Sequence, residues 1–298
     1  MKYDKKPISI AEQIALLEKR GLKISDKQKA ELYLSNISYY RLRAYTYPFQ
    51  DNLNPDHTFK ANITFEQILD SYVFDRELRL IVFDAIERIE VALRTQIIYH
   101  FALKYGSHWH EESTLYSDTE LLRKDINTLN KELQRSSETF IRHYYSKYTS
   151  PLNPPAWMSL EVTSLGLLSK FYENLKMSDE KKQVAKHFGL LHPYILESWM
   201  HSFAHVRNIC AHHGRLWNRS LSQTPKLPRQ TAASFLSNRN INIYKIYPVL
   251  SCMEYILNII SPQHRFAGRI KELLNRHPLF KPHYLGFPKD WEKEPLWK

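Results

Sequence analysis

Glycine is scarce in this chain: 7 among 298 residues, with none between Gly21 and Gly106. Globular proteins usually carry roughly 7%. The shortage argues against glycine-cradled nucleotide sites and turn-rich β architectures, and it favours helices. Cysteine is scarcer still. Cys210 and Cys252 cannot furnish a four-thiolate zinc site, and they do not suggest a disulfide framework. No apolar run approaches the roughly 18 residues of a membrane span. The basic start, MKYDKKPISIAEQIALLEKRG, lacks the uninterrupted apolar core of a signal peptide. The expectation is therefore a cytoplasmic protein without a membrane segment.

What is present is ordinary for a globular chain, with 43% hydrophobic and 24% charged residues. The 42 Lys and Arg against 31 Asp and Glu leave a net charge of +11, which favours an acidic partner.

Helix-start grammar recurs. Ser9-x-x-Glu12, Ser25-x-x-Gln28, Thr64-x-x-Gln67 and Ser117-x-x-Glu120 all fit the capping box, in which two side chains satisfy orphan backbone donors reciprocally. From Thr64 to Tyr105 there is neither Gly nor Pro. Ile68, Leu69, Tyr72, Val73, Ile86, Ile89, Leu93 and Ile97 follow helical steps there, and Glu90 and Arg94 are spaced to pair on one face. The pattern predicts one long helix, straight or slightly kinked, ending at Gly106. Further helices are expected over 118–147, 157–176, 179–188, 193–213, 242–260 and 263–276. Pro193 suits a first turn. The prolines of Ser150-Pro-Leu-Asn-Pro-Pro155 break the chain, as does the polar 218–240 segment. The expected fold class is all-α. It comprises an amino-terminal helical extension over 1–60, a helical domain over 61–280, and a Pro- and aromatic-rich tail over 281–298 packed on that domain.

The charge distribution holds the sharpest anomaly. Between Glu197 and Glu254 there is no Asp or Glu, where average content predicts roughly six. The same interval carries Arg207, Arg215, Arg219, Lys226, Arg229, Arg239 and Lys245 with His201, His205, His212 and His213. Removing competing carboxylates leaves cations able to hold phosphate. On a helix, His201, His205, Asn208 and His212 form one narrow stripe, and Gly214 reads as the helix stop. Three chemistries fit it. His201, His205 and His212 suit a zinc ion, though no carboxylate is near in sequence and the cations would repel a dication. Alternatively, the imidazoles satisfy buried polar groups. The third option is metal-free phosphodiester chemistry, with imidazole moving protons and guanidinium gripping phosphate.

Arg207-Asn208-Ile-Cys-Ala-His212 resembles the R-N-x-x-x-H signature of HEPN ribonucleases. The chain around it resembles the AbiD/AbiF-type abortive-infection proteins of bacteria. The resemblance takes in Asn36-Ile-Ser-Tyr-Tyr-Arg-Leu-Arg43, Phe74-Asp-Arg-Glu-Leu-Arg79 to Ile89-Glu90, Pro155-Ala-Trp157, Ser164-Leu-Gly166, Leu285-Gly-Phe-Pro288 and Trp291. It runs from about residue 7 to 297. Two other Arg…His spacings occur. Arg276…His283 crosses two prolines, and Arg94…His100 lacks the Asn and sits in an apolar helix, where a surface or supporting role is expected. Only Arg207…His212 combines the Asn, a helix end and an acid-free neighbourhood.

The resemblance implies a HEPN-like helical bundle and a phage-defence effector. Its activity would be metal-independent RNA cleavage by 2′-hydroxyl attack, with no cofactor and with a small structured noncoding RNA as a restraining partner. His212 would transfer protons, Arg207 would stabilise phosphoryl charge, and Asn208 would orient one of them. A non-catalytic RNA-binding protein on the same scaffold is the alternative. Arg207 and His212 lie about 140° apart on an ideal helix, so one helix does not aim both at one atom. HEPN proteins solve this by pairing two motifs, which implies a homodimer. RNA contacts beyond the scissile step are expected from His205, His213, Arg215 and Arg219. Arg142 and Lys147 join them from the aromatic–basic run Arg142-His-Tyr-Tyr-Ser-Lys-Tyr148. The similar Tyr39–Tyr45 run fits core and rim better.

Overall fold

Local capping chemistry sets the helix starts in the computed structural model, which describes residue 2 and residues 6–298. Ser9 and Glu12 form the expected reciprocal box, and so do Thr64 and Gln67, with bonds of 3.0 and 3.3 Å. At the other two sites an aspartate displaces the serine. Asp26, not Ser25, caps its helix through Lys29 N, and Asp118, not Ser117, accepts from Glu120 N and Leu121 N. A carboxylate accepts more strongly than a hydroxyl, so the neighbouring acid takes the cap.

Twelve α-helices result among the described residues, with isolated bridges but no strand. They are α1 Ile10–Lys19, α2 Lys27–Ile37, α3 Tyr39–Thr46, α4 Phe65–Tyr105, α5 Thr119–Arg135, α6 Thr139–Lys147, α7 Ala156–Ser159, α8 Leu165–Asn174, α9 Asp179–His187, α10 Pro193–Ala211, α11 Ile246–Ile260 and α12 Phe266–Arg276. The fold is all-α, as expected, and the long helix ends one residue before Gly106. Two expected helices are each divided. The 118–147 segment breaks at Ser136–Glu138, where Ser136 Oγ accepts from Glu138 N and competes with the helical ladder. The 157–176 segment restarts at Ser164, whose hydroxyl accepts from Leu167 N.

Contacts divide the chain into two units. The first holds the amino-terminal part up to Arg79 with Leu273–Phe280. Its core includes Leu17, Leu34, Leu42, Phe65 and Phe74, with Phe280 stacked on Phe74 at 4.9 Å. A buried polar triad sits among them. Tyr45 Oη donates to Asp75 at 2.7 Å, and Arg79 donates to Asp75 and to Tyr45. Burial, then the Asp75 carboxylate, drives the Tyr45 hydroxyl far above its usual range. The Phe74–Arg79 motif is thus an internal brace. In the Tyr39–Tyr45 run, Leu42 and Tyr45 point inward and Tyr40 outward, which matches the core-and-rim expectation.

The second unit holds 80–272 and 281–298, with α10 at its centre against α8, α9 and α11. Trp199, Met200, Phe203 and Val206 bury its inner face. A buried lysine fixes its neighbours. Lys181 Nζ lies 2.8 Å from Glu197 and donates to the carbonyls of Glu173 and Leu175. The carboxy-terminal segment lies in this unit too. Trp297 stacks on Tyr247 at 5.8 Å, and the Glu294 carboxylate accepts from Ser237 N and Asn238 N. No helix among the described residues is long and apolar enough to cross a membrane.

Candidate functional site

Polar groups crowd the carboxy-terminal end of α10 because its buried stripe runs out there. Val206, Ile209 and Cys210 face the core, while Asn208 and His212 are exposed and Arg207 is half-buried. His212 closes the helix as its C-cap, with its N–H on Asn208 O. His213 N then bonds Cys210 O at 3.0 Å, and Gly214 N bonds Ile209 O at 2.7 Å, a complete Schellman stop. The left-handed residue is His213 (φ 56°), not Gly214. Gly214 is needed for a different reason. A Cβ there would stand 3.1 Å from Ile209 Cγ2 and 3.2 Å from its carbonyl oxygen. A bulky residue in the left-handed region stores strain of a kind that clusters at functional sites.

Neither Arg207 nor the ring of His212 bonds to another described side chain. Arg207 lines a cleft of about 250 Å³ with Phe83, Glu87, Glu90, Val91 and Arg94 of α4. Asn208 and His212 do not line it. The acid-free neighbourhood is therefore a property of the sequence and not of the space around Arg207, since α4 brings two carboxylates back. Glu90 is already engaged, 2.8 Å from Arg94. Arg94 is not a surface residue: it is 7% exposed and also donates to Thr163 O at 2.9 Å.

The segment after the helix carries the remaining cations. Arg219 Nη1 donates to Arg215 O at 3.4 Å, and His205 Nε2 lies 3.4 Å from Ser222 Oγ. Burial, then the positive charges of Arg219 and His201, holds the His205 imidazole below its usual pKa. His205 thus tends to be a neutral hydrogen-bonding ring. Lys245 donates to Asn218 Oδ1 at 2.9 Å, and burial with nearby Arg215 lowers its pKa. The end of α10 is thus a cationic surface on which burial first, and neighbouring positive charge second, disfavour the protonated forms of His205 and Lys245, and an anion would offset the second of these.

His205, Arg215 and Arg219 come together there, next to His212 and His213 along the chain. Arg142 and Lys147 lie on α6, exposed, with Lys147 5.3 Å from the Tyr148 ring. The tyrosines there divide: Tyr144 is buried and donates to Pro151 O at 2.7 Å, while Tyr145 and Tyr148 stay exposed. No group of three or more His, Cys, Asp or Glu among the described residues has the arrangement of a metal site. Sequence reading did not assign Phe83, Glu87 or Val91 to the surroundings of Arg207, because only the tertiary approach of α4 puts them there.

Fold and site define an all-α protein with a basic, histidine-rich helix end. The profile of the Abi-like protein family matches residues 32–218, more than half of the chain, and the protein belongs to that family. The match takes in the Asn36–Arg43, Phe74–Arg79 and Arg207–His212 motifs but not Leu285–Pro288 or Trp291. Membership suggests a part in abortive-infection defence. No curated protein and no solved structure matches the chain.

Proposed function

We propose that the protein is a metal-independent endoribonuclease of abortive-infection defence, built on a HEPN-like scaffold. The observation that carries the reading is the end of α10. Arg207 has no ion pair among the described residues, and the exposed ring of His212 sits five residues on, at the point where the helix stops. Histidine changes charge near neutral pH and moves protons in either direction, and a guanidinium matches phosphoryl oxygens in bidentate geometry.

In the proposed step the RNA's 2′-oxygen bonds to the adjacent phosphorus as the P–O5′ bond breaks. The 2′-hydroxyl proton passes to a base, and the departing 5′-oxygen takes a proton from an acid. The products are a 2′,3′-cyclic phosphate and a 5′-hydroxyl. His212 transfers protons, Arg207 steadies charge on the phosphoryl oxygens, and Asn208 orients them. His205, His213, Arg215 and Arg219 hold the flanking backbone, with Arg142 and Lys147 as a further contact on α6.

Two partners complete the reading. A small structured RNA holds the effector before release. A second copy of the chain brings the divergent Arg207 and His212 side chains to one phosphate, and the exposed Phe83 and Val91 beside Arg207 supply an apolar rim for that contact. Incubating the purified protein with RNA in EDTA tests the chemistry. Cleavage should persist and leave cyclic phosphate ends. Binding without cleavage would instead describe an RNA-binding protein on the same scaffold, and loss of cleavage in EDTA would make it a metal-dependent nuclease.

A further inference from the structure

The acid-free segment after α10 folds back along that helix in the opposite direction. Ser222 stands beside His205. Ser198 Oγ donates to Thr224 O and accepts from Lys226 N at 2.8 Å. Trp199 Nε1 donates to Lys226 O at 2.9 Å, and Lys226 Nζ reaches to 5.2 Å from the Tyr194 ring. The five residues from Ser222 to Lys226 thus accompany α10 from His205 towards its start. They bring Lys226, the first cation after Arg219, to that end.

At that far end lies a cavity of about 760 Å³, well within the range of a small-ligand site. Its lining includes His192, Tyr194, Lys226 and Arg229, and no Asp or Glu. The rings of His192 and Tyr194 are stacked at 5.4 Å with 19° between their planes, and Tyr194 is 46% exposed. Neither Lys226 nor Arg229 has an ion pair among the described residues. Lys226 is held through its backbone at both N–H and C=O, so the root of its side chain is fixed at the groove before any ligand arrives. Cations without an ion pair beside an exposed aromatic pair, His192 on Tyr194, suit a nucleotide with an unstacked base: phosphate on the charges, base against the rings. A duplex, with its bases already stacked, would use only the charges.

We propose that this groove is a distal subsite for single-stranded RNA, with Lys226 and Arg229 on phosphates and Tyr194 under a base, so that the strand lies along α10 with its scissile linkage at His212. The inference rests on the RNA-cleavage reading and adds a length requirement to it. From Tyr194 to His212 the helix rises about 27 Å. That is no more than about eight nucleotides at the ~3.4 Å spacing of a stacked strand, and fewer if the strand is stretched.

The test uses 2′-O-methyl oligouridylates of three and ten nucleotides, which lack the attacking hydroxyl. Their affinities are measured for the wild-type chain, Lys226→Gln, and a Tyr194→Ala/Arg229→Gln double variant. All three side chains are exposed, so melting curves should coincide. The wild-type protein should bind the ten-mer roughly tenfold tighter than the three-mer. The double variant should lose most of that gain and Lys226→Gln part of it, and a 2-aminopurine placed in the distal half should be quenched only when Tyr194 is present. An undiminished length gain in the double variant, with wild-type cleavage intact, would overturn the subsite and leave the nuclease reading standing. A wild-type protein that neither binds nor cleaves RNA would overturn both.

Discussion

One guanidinium nitrogen of Arg94, Nη2, donates both to the carbonyl oxygen of Thr163 at 2.9 Å, across 69 residues of chain, and to the Glu90 carboxylate at 2.8 Å. Arg207, lining the same cleft, has no such bonds among the described residues. Two arginines that the sequence offers in similar Arg…His spacings therefore do opposite jobs. Arg94→Ala should destabilise the fold by about 3 kcal/mol, because it strips a largely buried Glu90 carboxylate of its partner. Arg207→Ala should change stability by no more than about 0.5 kcal/mol and still remove most RNA cleavage. Thermal melts paired with a cleavage assay separate the two. An Arg207→Ala protein that melts early, or that cleaves normally, would reverse the assignment.

His212→Ala should abolish RNA cleavage and growth toxicity in a protein that melts like the wild type. The helix stop runs through the backbone of His212, His213 and Gly214, and the His212 ring is exposed, so its loss removes chemistry and little packing. A variant that still cleaves RNA at the wild-type rate would move proton transfer to another group.

Much of this site was readable in one dimension. The long glycine-free helix, the Glu90–Arg94 pair, the cationic interval and a helix stop, expected at Gly214 and found two residues earlier at His212, are all local patterns, and local periodicity and capping decide them. What stayed hidden depends on elements far apart in sequence. Arg207 meets Glu87 and Phe83 only because α4 packs beside α10, and Tyr194 meets Lys226 only because the return segment is hung on Ser198 and Trp199. Two serine caps failed for a subtler reason: an adjacent aspartate competes for the same N–H groups, and the capping-box pattern carries no term for that rivalry.

Salt should weaken RNA binding steeply, because each phosphate contact releases condensed counterions. Replacing Arg215 and Arg219 together by Gln should lower the magnitude of the log–log salt slope by about 1.4, the value for two lost single-strand phosphate contacts. The comparison requires titrations at several salt concentrations in the absence of cleavage. An unchanged slope would transfer the contacts to α6, at Arg142 and Lys147.

Stability should fall between pH 5 and 8 through Glu254. Burial pushes its carboxyl up to about 7, partly offset by Asn258, the Ala267 backbone and Lys271. The unfolded chain releases that proton near 4.5, so between these values the folded state binds more protons, and stability declines as pH rises. His264, 3.7 Å away, works in the other direction. Burial and Arg88 lower its pKa, so it costs stability as pH drops below its unfolded value of 6.5. Glu254→Gln removes the first effect alone. It should stabilise the protein by an amount on the order of 2 kcal/mol at pH 8 and leave it nearly unchanged at pH 5. Melting temperatures across that range decide it, and an equal gain at both ends would mean that the carboxyl does not titrate there.

Assembly follows from the divergence of Arg207 and His212 around α10. Arg207 looks into the α4 cleft, and His212 stands at the helix end outside it, so one protomer does not focus both on one phosphorus atom. A two-fold axis beside α10 would set two arginines and two histidines around a shared site, using the same patch on each chain. The empty dimer would suffer repulsion between like charges, which bound RNA or sulfate would relieve. Scattering-derived mass should therefore rise towards two chains as either anion is added. Mixing gives the sharper result. Arg207→Ala homodimers lack both copies of the Arg207 guanidinium, and His212→Ala homodimers lack both copies of the His212 imidazole. Only the mixed dimer holds one of each, so combining two inactive preparations should restore an intermediate cleavage rate. A chain that remains monomeric in the presence of RNA and still cleaves it would defeat the shared site, while leaving the proton-transfer role of His212 to stand on its own variant.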